Sequence, residues 1–265
     1  MPNDYFFQTD KIFYKHETTP EPQHNSYSMH THNADELIYF LDGDATHVIE
    51  NRKYKLKKGD LILIRPLRSH FIQIDSPARY ERINILFEPS KHKIESVTLL
   101  PEDAEVINIS NNSIAKDIFK KCNLYRKSCD DDTFLKIVSN LLSELFYNIY
   151  IFKEDFPQSI DTVSPLVSKA LQYMNENLCT VSDIGEIANA LFVSESYLFR
   201  TFKKELHQTP KKYITEKRLL MAQKMIAEGE RPVSVSEKCG FGDYTAFYRN
   251  YTSFFGHTPS NEPET

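Results

Sequence analysis

Two sets of side chains in this sequence have types and spacings that can do chemistry. The first lies in "HTHNADELIYFLDG", where His30, His32 and Glu36 follow the pattern His-x-His-x3-Glu, and His70 ends "GDLILIRPLRSH" further on. Imidazole and carboxylate donors suit Zn, Fe, Mn or Ni in an open site, and they equally suit hydrogen bonding to a polar small molecule. The second set is a pair of arginines, Arg200 and Arg249, which stand 49 residues apart in two stretches that resemble each other. A guanidinium is a planar fork of donors able to grip a guanine edge or a phosphate.

The elements that must position the first set read as β structure. Residues 1–110 hold short apolar runs rich in Ile, Leu, Tyr and Val, parted by Asp42-Gly43-Asp44, Glu50-Asn51-Arg52, Lys58-Gly59-Asp60 and Arg65-Pro66. A further strand, "RYERINILFEP", ends in Pro89. Many short strands with no helix between them predict a sandwich or barrel.

The period changes over residues 111–153. Phe134, Ile137, Val138, Leu141, Leu142, Leu145, Phe146 and Ile149 recur at threes and fours, one face of a helix, after an earlier helix from about Asn112 to Arg126. Such a stripe serves either core packing or self-association. Phe134, Leu141, Leu145 and Ile149 are the candidates for a homodimer seam. Prolines and polar residues then mark 154–165 as a linker, and 166–265 read as short capped helices. The fold expected is two-domain, β then α.

An internal repeat organises the second half. "FVSESYLFRTFKKELHQTP" laid over "FGDYTAFYRNYTSFFGHTP" pairs Phe192 with Phe241, Ser194 with Asp243, Leu198 with Phe247, Arg200 with Arg249 and Pro210 with Pro259, each 49 apart. Upstream, Ile187-Ala188 matches Val235-Ser236 at 48 apart, so the second copy holds one extra residue in its bend. Each copy is the outline of a helix-turn-helix. Gly240 is expected in the left-handed conformation, Phe241 in the corner between the helices, and Asp243 at the helix cap. From Ser194 to Lys224 eight cations face three glutamates, a local +5 in a chain of net −5.

These two units resemble those of the AraC/XylS family of transcriptional regulators, down to the trailing Gly-Phe turn, the Arg and Gly-His-Thr-Pro. The resemblance implies a second helix of each unit in a major groove of double-stranded operator DNA. Ser194, Ser196, Tyr197 and Arg200 would serve the first reader, and Asp243, Tyr244, Thr245, Tyr248 and Arg249 the second. Lys203, Lys204, Lys211 and Lys212 would meet phosphates. Tyr251-Thr252-Ser253 stands where the family has Phe-Lys-Lys, so the first reader is expected to dominate affinity. The chain stops at "SNEPET", short of the family's last helix, which is expected absent or frayed.

The His-x-His-x3-Glu stretch, with Gly43, Gly59 and His70, is similar to a cupin barrel, the effector module of many such regulators. That similarity implies an N-terminal cupin-like β-barrel in which His30, His32, Glu36, Tyr39, His70 and Arg82 hold a small-molecule effector, a sugar first among the choices, with Phe71 as a stacking face. It also implies a divalent metal on His30, His32, Glu36 and His70 as a second use, although Arg65, Leu67 and Ile74 depart from the cupin pattern. No other cofactor is expected. RNA polymerase is a further expected partner. The rivals are a metal-dependent cupin enzyme with a helical appendage and a regulator acting through protein contacts only.

Bulk composition agrees with an ordinary two-domain protein. With 40% hydrophobic and 26% charged residues the 265-residue chain is neither disordered nor fibrous. A net charge of −5 gives no global basic field. The four scattered cysteines read as reduced thiols, and the absence of a signal or long apolar run predicts a cytoplasmic protein with no membrane partner.

Overall fold

The computed structural model describes residues 5–9, 12–23, 29–152 and 161–262. They form two compact units, one centred on the first 160 residues and one on the residues from Asp161 onward.

In the first unit the turn signals fall between strands, as the sequence predicts. The strands are β1 (Tyr5–Gln8), β2 (Ile12–Thr19), β3 (Asp35–Asp42), β4 (Ala45–Ile49), β5 (Arg52–Lys55), β6 (Asp60–Ile64), β7 (His70–Ile74), β8 (Tyr80–Phe87) and β9 (Val106–Asn108), with a short helix α1 (Pro89–His92) after β8. A large sheet runs β1-β2-β8-β3-β6-β9, and a second sheet sets β4 between β5 and β7. Ile38, Phe40, Ile62 and Ile64 of the large sheet share one core with Ala45, Ile49, Ile72 and Ile74 of the second. The two sheets therefore pack face to face as a flattened barrel.

The other face of the large sheet, with Tyr14, Leu37, Tyr39, Leu63, Ile83 and Phe87, is covered by helices α2 (Ser113–Ser128) and α3 (Asp131–Phe152). Asn112 caps α2, and its Nδ2 donates to Asn148 Oδ1 at 2.7 Å, joining the two helices. This arrangement corrects the expected dimer seam. Phe134, Leu141, Leu145 and Ile149 are all buried in the core of this one chain. Phe134 packs edge-on against Phe7 and Tyr14, at 4.9 and 5.5 Å. The stripe is apolar because a sheet face needs cover. Tyr147, Tyr150 and Ile151 of α3, with Leu124 of α2, are exposed instead.

Of the predicted linker, residues 154–160 lie outside the described residues. The second unit continues with α4 (Pro165–Glu176), α5 (Ile184–Ala190), α6 (Glu195–Leu206), α7 (Pro210–Ala227), α8 (Pro232–Lys238) and α9 (Tyr244–Phe255). Asp183, Ser194, Thr209 and Asp243 each accept a hydrogen bond from the backbone N–H three residues on, capping α5, α6, α7 and α9. Helices α5–α6 and α8–α9 are the two helix-turn-helix units, with Ala188 and Ser236 buried in their first helices. Between them α7 packs Leu219, Ala222 and Ile226 against Val235, Cys239, Phe247 and Tyr251.

The turns correct one detail of the repeat. Phe192 and Gly240 are the left-handed residues, at φ 56° and 77°. Val193 N–H donates to Ala188 O, as Phe241 N–H does to Ser236 O. Phe192 thus matches Gly240 at a separation of 48, and the extra residue is Gly242. Phe241 fills its corner, 5.1 Å edge-on to Phe247. Phe192 is 95% exposed and fills nothing.

Candidate nucleic-acid interface and effector site

The two second helices are anchored alike. Leu198, Phe202 and Leu206 bury one face of α6, and Phe247 and Tyr251 bury one face of α9. Ser196, Tyr197 and Arg200 on α6, and Thr245, Tyr248 and Arg249 on α9, consequently face solvent. Arg200 Nε donates to Ser196 O at 3.2 Å, which lays its stem along the helix. Ser194 and Asp243 spend an oxygen on capping, so they position their helices. Tyr244 is half-buried, its ring 5.8 Å from Phe247. Sequence reading missed Phe199, exposed on α6 where α9 has Tyr248; the 49-residue offset was the signal.

Lys203 and Lys204 are exposed in the last turn of α6, and Lys211 and Lys212 in the first turn of α7. Lys217 is buried and Arg218 half-buried, so six of the eight cations counted above face solvent. A groove between α7 and α9 is lined by Lys211, Lys212 and Thr215 on one side and Asn250, Ser253 and Phe254 on the other. The position where the second reader lacks a lysine thus shares a groove with two lysines of α7.

In the barrel, strand alternation decides which predicted residues meet. On β3, Glu36 shares the inner face with Ile38 and Phe40, while Tyr39 points the other way and stacks on Phe119 at 4.3 Å. Tyr39 belongs to the helix-covered core, and its place in an effector pocket is corrected. Phe71 is corrected for the same reason, since His70, Ile72 and Ile74 take the inner face of β7. Arg82 lies inward, opposite Phe40, with its guanidinium 5.6 Å over the Tyr80 ring. It stands about 13 Å along β3 from Glu36, four residues at strand rise.

Glu36 and His70 come together in the first unit, and His30 and His32 stand side by side in the second, their ring centroids 6.0 Å apart. Glu36 and His70 are buried and His30 is exposed. His70 Nδ1–H donates to Arg68 O at 3.0 Å, the bond that orients a ligating histidine. Its Nε2 then meets Glu36 Oε2 at 2.7 Å. Two lone-pair-bearing atoms at that distance need a proton or a cation beside them. Donors about 2.1 Å from a first-row ion stand at most about 4.2 Å apart, so the Glu36–His70 pair fits one. Sequence reading missed His47, fully buried on β4 with its ring 5.8 Å from His70. Its alternation with Ala45 and Ile49 was the available signal.

Comparison with known proteins decides what these surfaces belong to. Residues 18–154, more than half the chain, match the AraC-like ligand binding domain, and residues 187–262 match a helix-turn-helix domain. The chain belongs to the AraC-type transcriptional regulators. Proteins of this type bind DNA and small-molecule effectors and are regulators, not enzymes. Among relatives of this AraC-type chain is the probable transcriptional regulator LumQ of Photobacterium leiognathi, 26% identical over 51% of this chain and 53% of that protein. The lactose operon transcription activator of Staphylococcus xylosus is 22% identical over 83% of this chain and 80% of its own length. The raffinose operon regulatory protein RafR of Pediococcus pentosaceus is 24% identical over 84% and 82%. Among the described residues no helix is long and apolar enough to cross a membrane.

Proposed function

We propose that this AraC-type regulator reads a tandem operator with α6 and α9 in successive major grooves, about 34 Å apart on one face of the duplex. The carrying observation is the matched pair of exposed arginines, Arg200 and Arg249, on equivalently anchored helices. Ser196, Tyr197, Phe199, Thr245 and Tyr248 flank them toward base edges, and Lys203, Lys204, Lys211 and Lys212 neutralise phosphates. The barrel over residues 1–110 senses the effector, the helical segment 111–153 supports it, and residues 166–265 read DNA. The site of action is the cytoplasm, with RNA polymerase as the partner on bound promoters. Homodimerisation uses the outer face with Leu124, Tyr147, Tyr150 and Ile151, because the former seam is internal.

The effector we propose is a sugar, held among His30, His32, Glu36, His47, His70 and Arg82. Glu36, His47 and His70, buried, and Arg82, half-buried, support this, because imidazole, carboxylate and guanidinium groups on an otherwise apolar inner face are the donors and acceptors that a sugar's hydroxyls take. The operons named for two relatives are those of lactose and raffinose. A divalent ion on the same quartet, if bound, supplies a fixed positive charge for an effector's oxygens. Metal analysis of untagged protein separates the two uses: stoichiometric metal, lost in a His30→Ala/His32→Ala double variant, makes the quartet a metal site.

Fluorescence anisotropy on promoter DNA from the protein's own operon tests the DNA reading. Each of Arg200→Ala and Arg249→Ala is expected to weaken binding by roughly 1–3 kcal/mol, the worth of a bidentate base contact. Intact binding in Arg200→Ala with abolition in Arg249→Ala would overturn the dominance of the first reader. No salt-dependent binding by the wild type would leave a regulator acting through protein contacts.

A further inference from the structure

One side chain joins the two readers. Arg218 projects half-buried from the middle of α7. Its Nε donates to Leu178 O at 2.7 Å and its Nη2 to Val181 O at 2.6 Å, both in the loop that runs from α4 into α5. Its Nη1 donates to Gly240 O at 2.7 Å, in the turn between α8 and α9. Leu178 lies just past the end of α4 and Gly240 just past the end of α8, where the last carbonyls collect partial negative charge. A planar fork of donors can serve these two carbonyls and that of Val181 in fixed directions, which a single ammonium cannot.

A second observation shows how closely these loops approach. A Cβ on Gly240 would stand 2.1 Å from Cys179 O. The turn of the second reader therefore rests on the loop that leads into the first.

We propose that Arg218 sets the spacing at which the two readers meet DNA. It is a positioning residue, turned to protein carbonyls, and the proposal rests on the two-groove reading above. When two readers are held at one separation, the second contact becomes intramolecular and gains effective concentration only for boxes at that separation. Loosening the tie spreads the separation, which weakens the native tandem and relaxes the spacing rule.

The test uses the full chain and duplexes that the wild type selects from a randomised library. Derived duplexes keep both boxes, keep one box with the other scrambled, or shift the spacing by one or two base pairs. Arg218→Met is expected to bind each single-box duplex within about twofold of wild type and the native tandem about tenfold more weakly. Its preference for native over shifted spacing should largely vanish, and Arg218→Lys should recover it in part. If circular dichroism shows Arg218→Met unfolded, Arg218→Gln carries the test by its loss of spacing preference, with Arg218→Lys expected to fall between it and the wild type. An unchanged spacing preference in a folded variant overturns the proposal. So does an equal loss on single-box and tandem duplexes. Selection of a single box, or of no sequence, by the wild type would instead refute the two-groove reading itself.

Discussion

Gly240 and Phe192 occupy the same place in the two turns and demand opposite things of it. At Gly240 the left-handed backbone and the carbonyl of Cys179 both exclude a side chain. Gly240→Ala is expected to cost more than about 2 kcal/mol, from about 1–2 kcal/mol of backbone strain plus the overlap. At Phe192 the same backbone carries an aromatic that is almost wholly in solvent. Phe192→Gly is expected to stabilise by up to about 1 kcal/mol, because strain relieved exceeds the added unfolded-state freedom. Urea unfolding followed by circular dichroism reads both, and a destabilised Phe192→Gly would show that the exposed ring has a hidden contact. The need for a glycine at 240 was legible in the sequence; its second reason was not. A backbone carbonyl 61 positions upstream leaves no mark in residue type.

Helix α3 shows what a periodic stripe can and cannot say. Recurrence at threes and fours announced a helix with one covered face, and the helix is there. What covers that face is a property of the neighbours, and here it is the outer side of the large sheet. Leu141→Asp is accordingly expected to unfold the first unit, costing more than the about 2–5 kcal/mol of a Leu→Ala change. A folded Leu141→Asp with altered oligomeric state, by light scattering, would restore the seam. Ile151→Asp should stay folded and weaken self-association. The same limit applied on β3 and β7, where strand identity was plain but the inward parity of Tyr39 and Phe71 was not. Parity depends on which register the pairing takes. Glu36 and His70 were found because motif spacing carried the parity with it.

At the scale of the whole molecule, charge is distributed against the net value. A segment of +5 within a chain of −5 leaves −10 for the other residues. DNA affinity should therefore fall steeply with salt despite the acidic total, because released counterions follow local contacts. Lys203→Ala and Lys211→Ala are each expected to lower the slope of log affinity against log salt by about 1. Substituting Lys224, exposed in the last turn of α7, serves as a control. An unchanged slope for Lys211→Ala would mean that the α7–α9 groove lies away from the backbone. The two-domain order was legible because each half keeps its own period. The organisation inside the reader was not, because Arg218 acts on carbonyls that every residue has.

The abutment of Gly240 on Cys179 also makes the two repeats unequal as templates. A glycine passed from position 240 to position 192 meets no obstacle, since the backbone there is already left-handed and the side chain it replaces is in solvent. The reverse exchange would drive a phenylalanine into a backbone. At this one position, sequence can pass from the second unit to the first and not back.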